Sequence, residues 1–213
     1  MIAIAGGKGG CGKTTTTVAI ARAIVAGSDS PVIGVEGDWD MPDLRSLAQT
    51  APLRSLPVRS IRVEELRDRC AGPGVTILEA PETATPQGRQ QIFERVEEFC
   101  GGHPAQTVID CPAGAGRDAA VPIEVASGIL LVSTAEPASL RDTAKTAAMA
   151  EQLGSPVIGA VITGADTVPE GAERLLGTSR IIPIPDTRRP LRSPEVRRTY
   201  EHVVGQLEIS NIG

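Results

Sequence analysis

Aromatic side chains are nearly missing from this 213-residue chain: two Phe, one Trp and one Tyr make up 2% of it. Its core must therefore be built from Val, Ile, Leu and Ala, and aliphatic runs of that kind suit parallel strands flanked by helices. Lysine is scarce too, since of 21 Lys+Arg only Lys8, Lys13 and Lys145 are lysine. The four cysteines, Cys11, Cys70, Cys100 and Cys111, contain no C-x-x-C pair, so neither a disulfide framework nor a zinc site is indicated. No run approaches the about eighteen consecutive apolar residues that cross a bilayer, and a strand-like segment begins at once without a basic leader. A cytoplasmic protein is expected. A formal net charge of −5 argues against a protein that coats nucleic acid over its whole surface.

What is present is ordinary in bulk, 41% hydrophobic and 22% charged, and the length is ample for one core. One domain over residues 1–213 is expected. Apolar β-rich runs fall at residues 2–5, 32–35, 75–78, 107–110, 129–133, 157–162 and 181–184. Between them the spacing predicts helices at Thr14 to Ala26, Arg62 to Arg69, Gln87 to Cys100, Pro137 to Leu153 and Glu170 to Leu176, with a last one from Pro194 to Gln206. Residues 51–61, with Pro52, Pro57 and scattered arginines, read as a loop. Alternation of this kind, with right-handed crossovers, predicts an α/β fold: a single-domain, mostly parallel sheet with helices on both faces.

The most informative segment is Gly6-Gly7-Lys8-Gly9-Gly10-Cys11-Gly12-Lys13-Thr14-Thr15, which follows the run Ile2 to Ala5 and precedes a helix. Gly7 to Thr14 satisfies G-x-x-x-x-G-K-[ST], in which glycines let successive N–H groups turn inward toward phosphate oxygens. Lys13 is then placed for the β and γ phosphates and the Thr14 hydroxyl for Mg²⁺. Lys8 is a second lysine in the same turn, in a chain whose other cations are nearly all arginine. That points to a need for compact ammonium groups there. Cys11, at a helix N-terminus beside two lysines, is expected to have a lowered thiol pKa if accessible, or to be inert if it packs inward.

In an open parallel sheet the ligand site gathers at the carboxyl ends of the strands. The run ending in Asp110-Cys111-Pro112-Ala113-Gly114-Ala115-Gly116 offers Asp110 as a Walker-B-type carboxylate that holds Mg²⁺ through water, with a mobile loop behind it. The run ending in Glu36-Gly37-Asp38-Trp39-Asp40-Met41-Pro42-Asp43 offers four carboxylates, of which one belongs near the metal or the attacking water and Asp40 or Asp43 serves as a turn or helix cap. Trp39, the only tryptophan, is placed to report on movement there.

These residues resemble the MinD/ParA group of deviant Walker A (SIMIBI-type) P-loop ATPases, kin of the nitrogenase iron-protein class. The hallmark K-G-G-x-x-K-T is met by Lys8 to Thr14, Asp110 to Gly114 is similar to the D-x-P-A-G switch II, and Ala135 to Asp142 is similar to the P-E-x-x-S-L-R-D segment of the MinD branch. The resemblance implies an ATP- and Mg²⁺-dependent homodimer, in which Lys8 reaches across to the partner's nucleotide and hydrolysis is slow and partner-stimulated. It implies Lys8, Lys13 and Asp38 as the hydrolytic residues, Asp38 matching the second Asp of switch I and Glu36 standing where the first Asp normally is. Thr14, Asp38 and Asp110 are implied at the metal. Gly7, Lys8, Gly9, Gly10, Cys11, Gly12, Lys13, Thr14 and Thr15 are implied at the nucleotide, with Thr163 in place of the family's Asn and with Pro183, Pro185 and Asp186 toward the base.

The resemblance leaves two classes open: a positioning or partitioning ATPase that acts through a protein activator or cargo, or a cofactor-maturation or small-molecule ATP-dependent enzyme. Arg188, Arg189, Arg192, Arg197 and Arg198 form a cluster that either contacts DNA phosphates without sequence preference or makes a solvated basic face. The segment Glu208 to Gly213 is too short and too poor in cations for a direct membrane anchor.

Overall fold

The computed structural model describes residues 1–28, 30–49, 54–57, 74–80, 86–101, 105–207 and 209. Among the described residues eight strands form one sheet: β1 (Ile2–Gly6), β2 (Pro31–Glu36), β3 (Arg54–Pro57), β4 (Gly74–Glu79), β5 (Gln106–Ala113), β6 (Gly128–Thr134), β7 (Val157–Thr163) and β8 (Ile181–Ile184). Their order is β3-β4-β2-β5-β1-β6-β7-β8, and the described pairings are parallel. Among the described residues the helices are α1 (Lys13–Gly27), α2 (Leu44–Gln49), α3 (Pro86–Gly101), α4 (Arg117–Glu124), α5 (Pro137–Gln152), α6 (Ala172–Leu176) and α7 (Pro194–Gln206).

The two-residue period of β1 sorts the core into two layers. Ile2 and Ile4 face α1, Leu44 of α2, and Val196, Tyr200 and Val203 of α7. Ala3 and Ala5 face Phe93, Val96 and Phe99 of α3, Ile123 of α4, Leu140 of α5 and Leu176 of α6. Both faces of the sheet are thus covered, which is why its strands read as uninterrupted apolar runs. No described helix is long and apolar enough to cross a membrane.

Each expected run became a strand. One strand was not expected: Arg54 to Pro57 pairs in parallel with Thr76 to Glu79 at the edge of the sheet. Proline is tolerated there because an edge strand leaves one row of amides unpaired. Two helices were also not expected. The Leu44–Gln49 helix is a six-residue segment behind a run of carboxylates, and the Arg117–Glu124 helix carries Pro122 inside it. The helix expected from Glu170 starts at Ala172 because Gly171 holds a left-handed conformation, φ 79°, at its N-terminal boundary. The helix expected at Arg62 to Arg69 lies outside the described residues.

Candidate nucleotide site

β1 runs between β5 and β6, where the strand order reverses, so its carboxyl end opens into the crevice of the sheet. The loop from Gly7 to Gly12 fills that position and feeds directly into α1 at Lys13. Gly10 and Gly12 adopt φ 75° and 94°, a curl that an L side chain resists. Gly7 has a different reason to be glycine: a Cβ there would run into the backbone of Asp142 and Thr143 on α5. The loop is therefore packed directly onto the Ala135 to Asp142 segment. Thr163 locks it from the other side, its hydroxyl donating to the Cys11 carbonyl at 2.7 Å and lying 3.2 Å from the Ser133 carbonyl.

Lys13 is buried and folds back under its own loop, its ammonium 3.3 Å from the Lys8 carbonyl oxygen. Gly10, Gly12, Lys13, Thr14 and Thr15 line a cavity of about 470 Å³, closed opposite by Asp43, Ser46 and Leu47. Lys8 points away from it. Its ammonium meets a carboxylate oxygen of Glu136 at 2.9 Å on the open surface, which raises the lysine pKa and lowers that of Glu136.

Beneath the cavity, Asp110 of β5 is buried and accepts from the Thr17 hydroxyl at 3.1 Å. Burial pushes its carboxyl up to about 7, against hydrogen bonding from Thr14 and Thr17 and the attraction of Lys13. Glu36 lies opposite Asp110 in the β2–β5 register and is only 2% exposed. Burial first, and repulsion by Asp110 second, push its carboxyl up to about 8. The Asp110 carboxyl with the hydroxyls of Thr14 and Thr17 beside it fits a hard divalent cation, because oxygen donors and negative charge are what such an ion takes.

The segment from Glu36 to Leu44 departs from the expected division of labour. One Asp38 oxygen accepts from the Met41 amide at 3.1 Å, so Asp38 itself caps the turn. The first amide of α2, that of Leu44, goes to Glu36 at 2.8 Å, and Asp43 lines the cavity instead. Trp39 is half-buried, its indole N–H 2.6 Å from the Glu36 carbonyl and its ring stacked 6.4 Å from Phe93 at 11°.

A family model described as the CobQ/CobB/MinD/ParA nucleotide-binding domain matches residues 2–178. The chain belongs to that family. An uncharacterized ATP-binding protein of Methanocaldococcus jannaschii is 29% identical over 170 residues, which cover 76% of this chain; the chain spans 62% of that relative's length. The fold is similar to that of the cell division ATPase MinD of Pyrococcus furiosus, with TM-score 0.74 and 22% identity over 97% of this chain and 98% of that one. It is also similar to cobyrinic acid a,c-diamide synthase of Mycobacterium smegmatis, a structure with bound ADP and magnesium, with TM-score 0.64 and 19% identity over 94% of this chain and 90% of that one.

Within this CobQ/CobB/MinD/ParA domain the remaining expected residues fall in three places. Thr163 ends β7 beside Ile184 of β8, which brings Pro185 and Asp186 to the same end of the sheet, while Pro183 sits one position back inside β8. None of the four lines the phosphate cavity. The five arginines are exposed across the turn at residues 188–192 and the first half of α7. Cys11 takes the second of its two expected forms, the inward-packed one: it is 1% exposed, lies 3.5 Å from the Val132 carbonyl, and burial pushes its pKa up rather than down. The sequence reading missed Glu136, Thr17 and Ser46. Thr17 had a signal, since it lies one helical turn beyond Lys13 and so on the same face.

Proposed function

We propose that this domain hydrolyses ATP slowly and, with ATP bound, pairs with a second copy to act on a partner in positioning or partitioning. The observation that carries the reading is the division between two lysines of one loop: Lys13 buried under the cavity, Lys8 exposed and held only by a surface ion pair. An exposed pair of that kind contributes little, so Lys8 is free to exchange Glu136 for the phosphates of a facing subunit. In this reading the loop amides and Lys13 hold the β and γ phosphates, and Thr14 with Asp110 holds Mg²⁺. The ion, when bound, neutralises phosphate charge. Asp38 orients the attacking water once it leaves the Met41 amide, and Thr163, Pro183, Pro185 and Asp186 lie toward the base.

Sedimentation with ATP and Mg²⁺ tests it. Wild type should shift from monomer to dimer, and Lys8→Ala should bind nucleotide and stay monomeric. A wild type that hydrolyses ATP while remaining monomeric would sink the reading.

The family's breadth and the likeness to cobyrinic acid a,c-diamide synthase support a second reading, an ATP-dependent small-molecule enzyme. ATP turnover raised by a macromolecule favours the first, and turnover that depends on a small carboxylic acid favours the second. The exposed arginines from Arg188 to Arg198 make non-specific DNA one candidate platform, through phosphate contacts; binding that weakens steeply with salt and is lost on their replacement would support it.

A further inference from the structure

We propose that Glu36 is a positioning residue that clamps the switch I loop shut, and that its extra methylene relative to aspartate is what lets one carboxylate hold both ends of that loop. The two oxygens are used separately: Oε1 accepts from the Asp38 amide at 3.2 Å and Oε2 from the Leu44 amide at 2.8 Å. Residues 38 and 44 bracket the segment that contains Trp39, Asp40, Met41, Pro42 and Asp43.

The bond to Leu44 is sealed from water, because Glu36 is 2% exposed and Leu44 is fully buried, while the bond to Asp38 is part-buried. Two further contacts hold the loop. The Trp39 indole donates to the Glu36 carbonyl, and the ring stacks on Phe93 of α3. Gly37 donates its amide to the Asp110 carbonyl at 2.9 Å, which pins the base of the loop to β5. Glu36 does not itself line the cavity. It acts through two others: the placement of Asp38, and the start of α2, whose Ser46 and Leu47 close the phosphate cavity with Asp43. A shorter carboxylate at position 36 can satisfy the amide two residues on but falls short of the one eight residues on.

The role of the clamp in turnover rests on the hydrolytic reading above, so the test has arms that do not depend on it. Glu36→Asp shortens the reach, and Glu36→Gln keeps the reach but presents a donor to one of the two amides. Hydrogen exchange followed by mass spectrometry on the full chain should show the amides of residues 38–44 exchanging at least about tenfold faster in both variants, the loss expected for a buried hydrogen bond. The Trp39 emission difference between ADP and a non-hydrolysable ATP analogue should shrink by about half. ATP affinity should stay within about threefold of wild type while kcat falls about tenfold, because the cradle is intact and only the loop is loose.

Unchanged exchange over residues 38–44 in Glu36→Asp overturns the proposal. So does faster exchange with wild-type kcat and wild-type Trp39 response, which would make the carboxylate structural only. If the wild type binds but does not hydrolyse ATP, the hydrolytic reading falls, and the exchange and Trp39 measurements alone decide the clamp.

Discussion

Lys13 and Lys8 lie five positions apart in one turn of chain, and the fold treats them oppositely. Lys13 starts a helix, is 7% exposed, and is held against the loop it serves. Lys8 lies at the rim, with about half of its side chain in solvent and Glu136, the residue just before α5, as its contact. The flanking geometry explains the split. Gly12 turns the chain so that residue 13 faces inward, whereas the close approach of Gly7 to Asp142 and Thr143 lifts residue 8 onto the surface beside Glu136. One lysine is thus built into the cradle before any ligand arrives, and the other waits outside it.

The sharpest way to break this contrast is to remove the inner lysine. Lys13→Ala should weaken ATP binding by about a hundredfold or more, the loss of charge-assisted contacts in a sheltered site. Calorimetric titration measures it, and a change under about tenfold would place the phosphates elsewhere. Asp38→Ala comes next: it leaves the cradle intact, so ATP should bind while single-turnover hydrolysis slows about tenfold to a hundredfold. A wild-type rate would mean that Asp40 or Glu36 holds the role.

A third measurement sharpens the comparison between the wet rim and the dry floor. Asp110 and Glu36 are pushed up to about 7 and about 8, so folding favours their protonated forms. Their contribution to stability is complete below the ordinary carboxylate range and is lost as pH rises through those values. Urea midpoints of the metal-free protein should therefore fall between pH 5 and 8, and Asp110→Asn should flatten the fall. Added Mg²⁺ should restore the midpoint at pH 8. The smallest effect is expected at Cys11, where native protein should resist a maleimide for hours and label only on denaturation. Rapid native labelling that ATP prevents would show that the thiol faces the cavity after all.

The sheet and the cradle were legible because periodicity and glycine spacing are local signals. Thr14, Lys13 and Asp110 converge because strand ends in such a sheet converge, and that much follows from the pattern of runs. The contacts that decide behaviour were not legible. Glu136 lies 128 positions from Lys8, and their meeting depends on how closely α5 approaches the loop, a matter of backbone sterics at Gly7. The choice between the two forms of Cys11 was hidden for a similar reason: charge and helix position argue for a thiolate, but inward packing against β6 overrides both. Glu36 stood out only as a misfit to the family's aspartate, and its purpose emerged from amides two and eight residues downstream.

The place of β1 in the sheet also sets an order of events during synthesis. Its partners are β5, which meets Ile2 at Val108, and β6, which meets it at Gly128. The strand that carries the nucleotide loop leaves the ribosome ahead of both, and its nearer partner residue, Val108, follows Ile2 only about a hundred residues later. Contacts that distant in sequence form slowly. A nascent chain halted before β5 and β6 has emerged should therefore have every residue of the cradle and no ability to bind nucleotide, and binding should switch on late and all at once as those strands close around β1.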